Sequence, residues 1–155
     1  RASQADPQAA LAPLLAGGNG ERGRRIFFEK TEVYCVRCHK VGGRGGDVGP
    51  DLTKVASQQN RQYLLESILH PDQAIAKGYE PVVILTTDGR QLNGTLREED
   101  GTRLTLMTAE GNLVSVLKSE IDERARGKSA MPEDLAKKLS KFELRDLVEY
   151  LAGLK

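Results

Sequence analysis

The chain has 155 residues, 39% hydrophobic and 29% charged, a balance that suits one modest domain or two very small ones and excludes a disordered chain. A formal net charge of +1 leaves no electrostatic footprint for DNA or RNA, and no apolar run approaches the ~18 residues that a membrane-spanning helix needs. Aromatic residues make up only 5%, with no tryptophan, so the core has room for something other than polypeptide.

Residues 1–18 are rich in Ala, Gln and Pro. A short helix through Ala9, Leu11, Leu14 and Leu15 is broken by "AGGNG", and the segment reads as a linker or N-terminal extension. It lacks the charged start, apolar centre and cleavage site of a secretory signal, so the expectation is a processed chain or a fragment of a longer protein. Asn19 then caps a helix running to about Lys30. Gly23 lies inside that helix, where glycine is ~1 kcal/mol less favourable than alanine, a handicap that points to close packing. Phe27 follows one turn later on the same face.

Both cysteines of the chain fall in "YCVRCHKV", residues 34–41, followed by a glycine-rich loop, "KVGGRGGDVGPDL". "NRQYLLESILHP" predicts a helix with Leu64, Leu65, Ile68 and Leu69 at helical spacing, ended by Pro71. A further turn of helix is expected over Asp72–Lys77, stopping at Gly78. From about Glu80 to Arg124 the pattern alternates as strands do, and predicts a four- or five-stranded antiparallel meander with Asp88-Gly89 as a two-residue hairpin turn. Pro132 opens a short helix over Glu133–Leu139. Ser140 and Glu143 form a capping box for the last helix, whose apolar stripe is Leu144, Leu147, Val148, Leu151 and Leu154. The organisation is an extension (1–18), a helical part with the cysteine cluster (19–79), a β insert (80–124) and a helical C-terminal part (125–155).

Four kinds of chemistry compete for Cys35, Cys38 and His39. Idle thiols or a surface disulfide are the plainest, although idle cysteines are usually buried one at a time. A redox pair of the thioredoxin type would follow a strand and open a helix, whereas this cluster follows a helix. Structural zinc would need Cys35, Cys38, His39 and His70, but neighbouring Cys38 and His39 reach one tetrahedral metal with difficulty. Covalent attachment of haem c uses every residue of the stretch: two thiols for two vinyl groups, and a histidine that turns under the ring to bind iron.

"GERGRRIFFEKTEVYCVRCHKVGGRGGDVGPDL" resembles the class I cytochrome c family. The resemblance implies that Gly23 and Phe27 belong to an N-terminal helix crossing the C-terminal one at Leu147, Tyr150 and Leu151. It also implies that the Pro50 carbonyl accepts the ring N–H of His39, which would fix the tautomer and improve the histidine as a donor to iron. For the second axial ligand the candidates are Met107, Met131 and His70. Met107 reads as a strand residue and His70 as a solvated helix-end histidine. Met131, in "SAMPEDL" ahead of the last helix, resembles the distal methionine of class I cytochromes; its bland alternative is a methionine filling a gap in the core.

Most of residues 20–154 further resembles the planctomycete-type haem-binding domain, through "CVRCH", "GPDLTKV", "YLLESILHP", "IAKGYEPVVI", "DGRQLNGTL", "EGNLVSV", "SAMPEDL" and "ELRDLVEYLAGL". The expected fold is mainly α: a class I cytochrome c with an inserted small antiparallel β meander, α+β overall. The resemblance implies one covalent haem c held by Cys35 and Cys38, with Pro50 beside it and His39 and Met131 on the iron. It implies an electron-transfer domain rather than an enzyme, in the periplasm or at the cell surface. Its partner would be a redox protein or a fused dehydrogenase domain, with a respiratory carrier as electron acceptor. The alternative is a haem enzyme or gas sensor in which Met131 is labile. The insert either covers a haem edge or docks a partner. Arg44, Arg61 and Tyr79 are candidates to hold the haem propionates.

Overall fold

The computed structural model describes residues 7–155; the first six positions of the expected extension lie outside the described residues. Helix α1 (Pro7–Leu15) precedes α2 (Gly20–Glu29), and Leu11, Leu14 and Leu15 pack on the helical core. Asn19 caps α2 by accepting from the Arg22 N–H at 2.9 Å, as its side chain type predicts. Helix α3 (Arg61–Leu69) is capped in the same way by Asn60, and α4 (Lys141–Ala152) by the reciprocal Ser140–Glu143 box. These caps satisfy backbone donors that a helix start would otherwise leave open.

Helices α2 and α4 meet at the closest helix–helix contact in the fold. A Cβ on Gly23 would stand 2.6 Å from the Asp146 carbonyl carbon and 2.7 Å from Tyr150 Cβ, so only glycine fits there. Asp146 is the side chain that the amphipathic pattern did not single out. It is 5% exposed and accepts from the Asn19 N–H at 2.7 Å, while Arg22 pairs with its other oxygen at 3.3 Å. The start of α2 is thus tied to the middle of α4. Of the residues expected at this crossing, Tyr150 stands against Gly23, while Leu147 and Leu151 share the helical core with Ile26 and Phe27 and also line the cavity described below.

The glycine-rich loop is less irregular than its composition suggests. Strands β1 (Lys40–Val41) and β2 (Arg44–Gly45) form a miniature hairpin, with Gly42 and Gly43 both at positive φ (59° and 81°) in its turn. Five longer strands follow: β3 (Pro81–Thr86), β4 (Gln91–Glu99), β5 (Arg103–Met107), β6 (Leu113–Leu117) and β7 (Ile121–Arg126). Their order in the sheet is β6-β5-β4-β3-β7. The first four make an antiparallel meander. The fifth then crosses to the far edge and pairs with β3, Val83 opposite Ala125.

The expectation of a mainly α protein is therefore wrong. The chain is 34% helix and 24% strand, and its five-stranded antiparallel sheet is a second body of structure rather than an ornament on a helical fold. Sequence reasoning underweighted it because the strands are two-faced and individually short, whereas the helices carry conspicuous caps and stripes. Two turns also differ. Asp88 lacks the positive φ that a two-residue type I′ turn demands; only Gly89 has it, and the loop is three residues long, closed by Thr86 N–H to Arg90 C=O at 2.9 Å. The segments 72–77 and 133–139 are turns, with a single 3-10 turn at Leu135–Lys138, because stretches this short gain few α-helical bonds against the cost of starting a helix.

Candidate functional site

A cavity of about 620 Å³ opens among the helices, within the ~300–1,000 Å³ typical of cofactor and small-molecule sites. Its walls come from α2 (Phe27), α3 (Leu64, Ile68) and α4 (Leu147, Leu151), and are predominantly apolar. Cys35, Cys38, His39, Pro50 and Met131 all line it, although 96 positions separate the first from the last.

The cysteine stretch reaches the cavity through a sharp change of direction after α2. Tyr34 takes φ 41°, the left-handed region that residues with a side chain seldom occupy, and the chain then turns through a 3-10 segment at Cys35–Arg37. Backbone hydrogen bonds lock the turn. The Cys35 carbonyl accepts from the N–H groups of Cys38 (3.2 Å) and His39 (3.0 Å), and the Cys38 carbonyl accepts from Gly49 N–H at 2.7 Å. Burial pushes the Cys35 thiol up to about 11 and raises Cys38 as well, the reverse of the lowered thiol that serves a reactive redox pair. His70, which the zinc reading needs, lies exposed at the end of α3 beside a separate pocket, and no metal-holding group of three or more His, Cys, Asp or Glu forms among the described residues.

His39 Nδ1 lies 2.8 Å from the Pro50 carbonyl. A carbonyl only accepts, so Nδ1 carries the proton and Nε2 is left with a free lone pair. Burial lowers the imidazole below its ordinary value, with the Pro50 carbonyl opposing the shift, so the neutral ring is favoured. Gly49 makes the approach possible: a Cβ there would come within 2.6 Å of His39 Cε1 and 2.9 Å of Nδ1.

Met131 is half-buried against the helical core, on the loop between β7 and α4. The loop is pinned rather than loose. The Asp72 carboxylate accepts from Ser129 N–H at 2.5 Å, and Ser129 Oγ accepts from Met131 N–H at 3.2 Å. The hydrogen bond from Ser129 is the leading cause that holds the Asp72 carboxyl below the usual carboxylate range. Met107 sits in β5 opposite Thr95 and Leu113 and does not line the cavity. Of the candidate propionate partners, only Tyr79 lines it. Arg44 lies over the Phe28 ring at 4.5 Å, and Arg61 is engaged with Glu149 at 2.5 Å and with the Leu15 carbonyl at 3.0 Å.

Two residues of the insert that sequence reasoning did not single out approach this site. Thr95 of β4 is 4% exposed and lines the cavity. Arg97, on the same strand, lies over the Tyr79 ring at 4.8 Å and donates through Nη2 to the carbonyls of Asp47 and Val48 (3.3 Å for Val48). Both sit in an ordinary alternating strand pattern, which carries no sign of the cavity behind it.

A family model described as cytochrome c matches residues 20–110. The comparison with curated proteins gave no match. Among solved structures, the chain is similar to the crystal structure of the pleiotropic translational regulator Hfq at 18% identity, over 42% of this chain and 95% of that one, with a TM-score of 0.28. At that score the similarity says nothing about this chain's fold.

Proposed function

The chain belongs to the cytochrome c family, and on that premise we propose that it is a mono-haem c-type cytochrome domain that carries single electrons. The family implies covalently bound haem c and electron transfer. The described residues are suited to that group. The cavity is large and apolar, two thiols and a histidine share one rim of it, and Gly49 keeps the histidine's surroundings clear. Haem c, when bound, supplies the one-electron iron couple.

The chain's own residues do the rest. Cys35 and Cys38 would hold the cofactor through thioether bonds. Pro50 keeps the proton of His39 on Nδ1, so that Nε2 would be free to bind the iron. Met131 would supply a thioether to the iron, which would raise the potential relative to a second imidazole. The Asp72–Ser129 tether holds the methionine loop in reach. Apolar walls from α2, α3 and α4 exclude water from both ligands. Residues of this kind on both sides of the iron would leave no open position for a substrate, which suits a domain that passes electrons. Its donor is a dehydrogenase site, on a fused domain of a parent chain as in the planctomycete-type arrangement, and its acceptor is a respiratory carrier. Haem attachment places it in the periplasm or at the cell surface; no helix among the described residues is long and apolar enough to cross a membrane.

The observation that carries this reading is the convergence of Cys35, Cys38, Met131 and the Pro50-bound His39 on one cavity. Mass spectrometry of the purified protein should give the polypeptide plus one haem. The oxidised spectrum should show the red methionine–iron band, and Met131→Ala should abolish it. A haem-loaded protein whose band survives Met131→Ala defeats the ligand assignment. High-spin ferric iron at rest with rapid peroxide turnover would favour a haem enzyme or gas sensor instead.

A further inference from the structure

The sheet has two open edges, and they are finished differently. At one edge β7 carries Asp122, Glu123, Arg124 and Arg126, and its pairing with β3 slips between Leu85 and Thr86. Charges and irregular register blunt an edge against further strands. At the other edge β6 has neither. Leu113–Leu117 holds no charged residue, and its register with β5 is unbroken from Leu113 opposite Met107 to Leu117 opposite Arg103. Leu113 is 63% exposed, one of the few large apolar side chains left in solvent.

The backbone of that edge is open. Thr108 N–H donates to the Asn112 carbonyl and Lys118 N–H to the Thr102 carbonyl, both at 2.8 Å. Antiparallel bonding alternates, so the even-numbered residues of β6 bond β5 and the odd-numbered ones turn their polar groups outward. Leu113 and Ser115 each offer an N–H and a C=O there, and Leu117 an N–H; the Leu117 carbonyl serves the 3-10 turn at Lys118–Glu120. These outward groups have no partner among the described residues. The strand itself says what fits them, because Leu-Val-Ser-Val-Leu reads the same in both directions. An antiparallel copy centred on Ser115 sets Leu113 opposite Leu117, Val114 opposite Val116 and Ser115 opposite its own equivalent. No like charges meet within the strand, and just beyond it Asn112 faces Lys118 of the copy. Glu110 and Glu120 lie in the turns where the chain leaves the sheet.

We propose that β6 is a self-association edge: two copies of this chain pair their β6 strands antiparallel about a two-fold axis at Ser115, and the sheet continues from one copy into the other. Such a contact is isologous and closes at two copies. It forms roughly four or more backbone hydrogen bonds, and it covers Leu113 with Leu117 of the second copy. One short strand per copy stays below the ~1,200 Å² of a stable interface, so the dimer is weak and forms as concentration rises. No residue of β6 lines the helical cavity, so pairing leaves that site open and does not depend on what the cavity holds.

The test is analytical sedimentation of the purified protein from ~10 µM to ~1 mM. The average mass should climb with concentration from that of one chain and level off at two. Ser115→Lys and Ser115→Glu each set like charges face to face across the axis, and each should weaken association about tenfold or more. Ser115 is exposed and its hydroxyl bonds Thr105 Oγ1 at 3.0 Å, so neither variant should alter the circular dichroism spectrum. Mixing the two in equal amounts should restore dimers, because opposite charges then meet. A wild type that stays monomeric throughout the range overturns the inference, as does a Ser115→Lys variant that associates as the wild type does. A mixture no better associated than its components also overturns it, since the axis would then lie elsewhere. A mass that continues past two chains does the same, because β6 would then be pairing head to tail with another edge. Should the Ser115 variants fail to fold, Leu113→Lys on the exposed flank should weaken association likewise. An unchanged mass profile for that variant decides against the proposal.

Discussion

The helices and the sheet bury their apolar residues in two separate cores, and the two are built differently. The helical core gathers Ile26, Phe27, Leu64, Leu65, Ile68, Leu147, Val148 and Leu151 from three helices, yet it surrounds a cavity. The sheet core is small and closed: Val82, Ile84, Leu104 and Leu106, the last three with no exposure, flanked by Leu92, Leu96 and Ile121. A close-packed interior tolerates few voids. The helical part is therefore shaped around a guest, while the sheet completes its packing from its own side chains. The two are joined at few places, among them Arg97 on the cysteine loop and Arg126 and Ser129 on Asp72.

That contrast can be broken or sharpened by substitution. The largest effect is expected from Cys35→Ala/Cys38→Ala, which removes both of the proposed attachment points. Loss of a tightly bound group that favours only the native state should destabilise the helical part by ~4 kcal/mol or more. Hydrogen exchange should show α2, α3 and α4 losing protection while β3, β4 and β5 keep most of theirs. Equal losses in both would mean that the two cores unfold as one unit. The converse variant, Ile84→Ala, should cost ~2–5 kcal/mol in the sheet. The reduced haem spectrum should be unaltered at temperatures where the sheet has melted; a haem spectrum that melts with the sheet would refute the separation.

Gly23→Ala tests the helix crossing. Its methyl would meet the Asp146 backbone, which cannot move aside as a flexible side chain could, and a penalty of ~1–3 kcal/mol should appear in the circular dichroism melt. The smallest effect concerns the sheet surface. Hydrogen bonds from Arg124 and Lys118, both at 2.9 Å, lower Glu99 from 4.5 to about 2. A depressed carboxyl stabilises the fold above its unfolded value and loses that contribution as pH falls through its folded value. Acid titration between about pH 4.5 and pH 2 should therefore weaken the wild type more than Glu99→Gln; parallel curves would show that the pair contributes nothing.

Much of this architecture was legible where the information is local. The Asn19 cap, the Ser140–Glu143 box and the helices they open follow from side chains that bond within one turn of themselves. Gly23 was legible as a contact point because glycine is handicapped in a helix, and Tyr150 was among the partners expected for it, but Asp146 was not. The stripe of α4 is apolar and gave no reason to expect Asp146, whose backbone meets Gly23 beside Tyr150. The Asp88-Gly89 turn was misread because a dipeptide preference does not fix φ at both of its residues. The crossing of β7 to the far edge, and with it the true weight of the sheet, depends on which strand edge remains open, a property of the assembled sheet.

The sequence alone determined the chemistry on offer at this site: two thiols and a histidine at a spacing that leaves few uses, a methionine ahead of the last helix, and the caps that start α2 and α4. Each of those is written within a few residues of itself. Only the tertiary structure decided that residues 96 positions apart share one cavity, and that the insert brings the buried Thr95 to its wall. The physical reason is that burial and charge balance are set by neighbours brought from distant parts of the chain, and no local pattern encodes them.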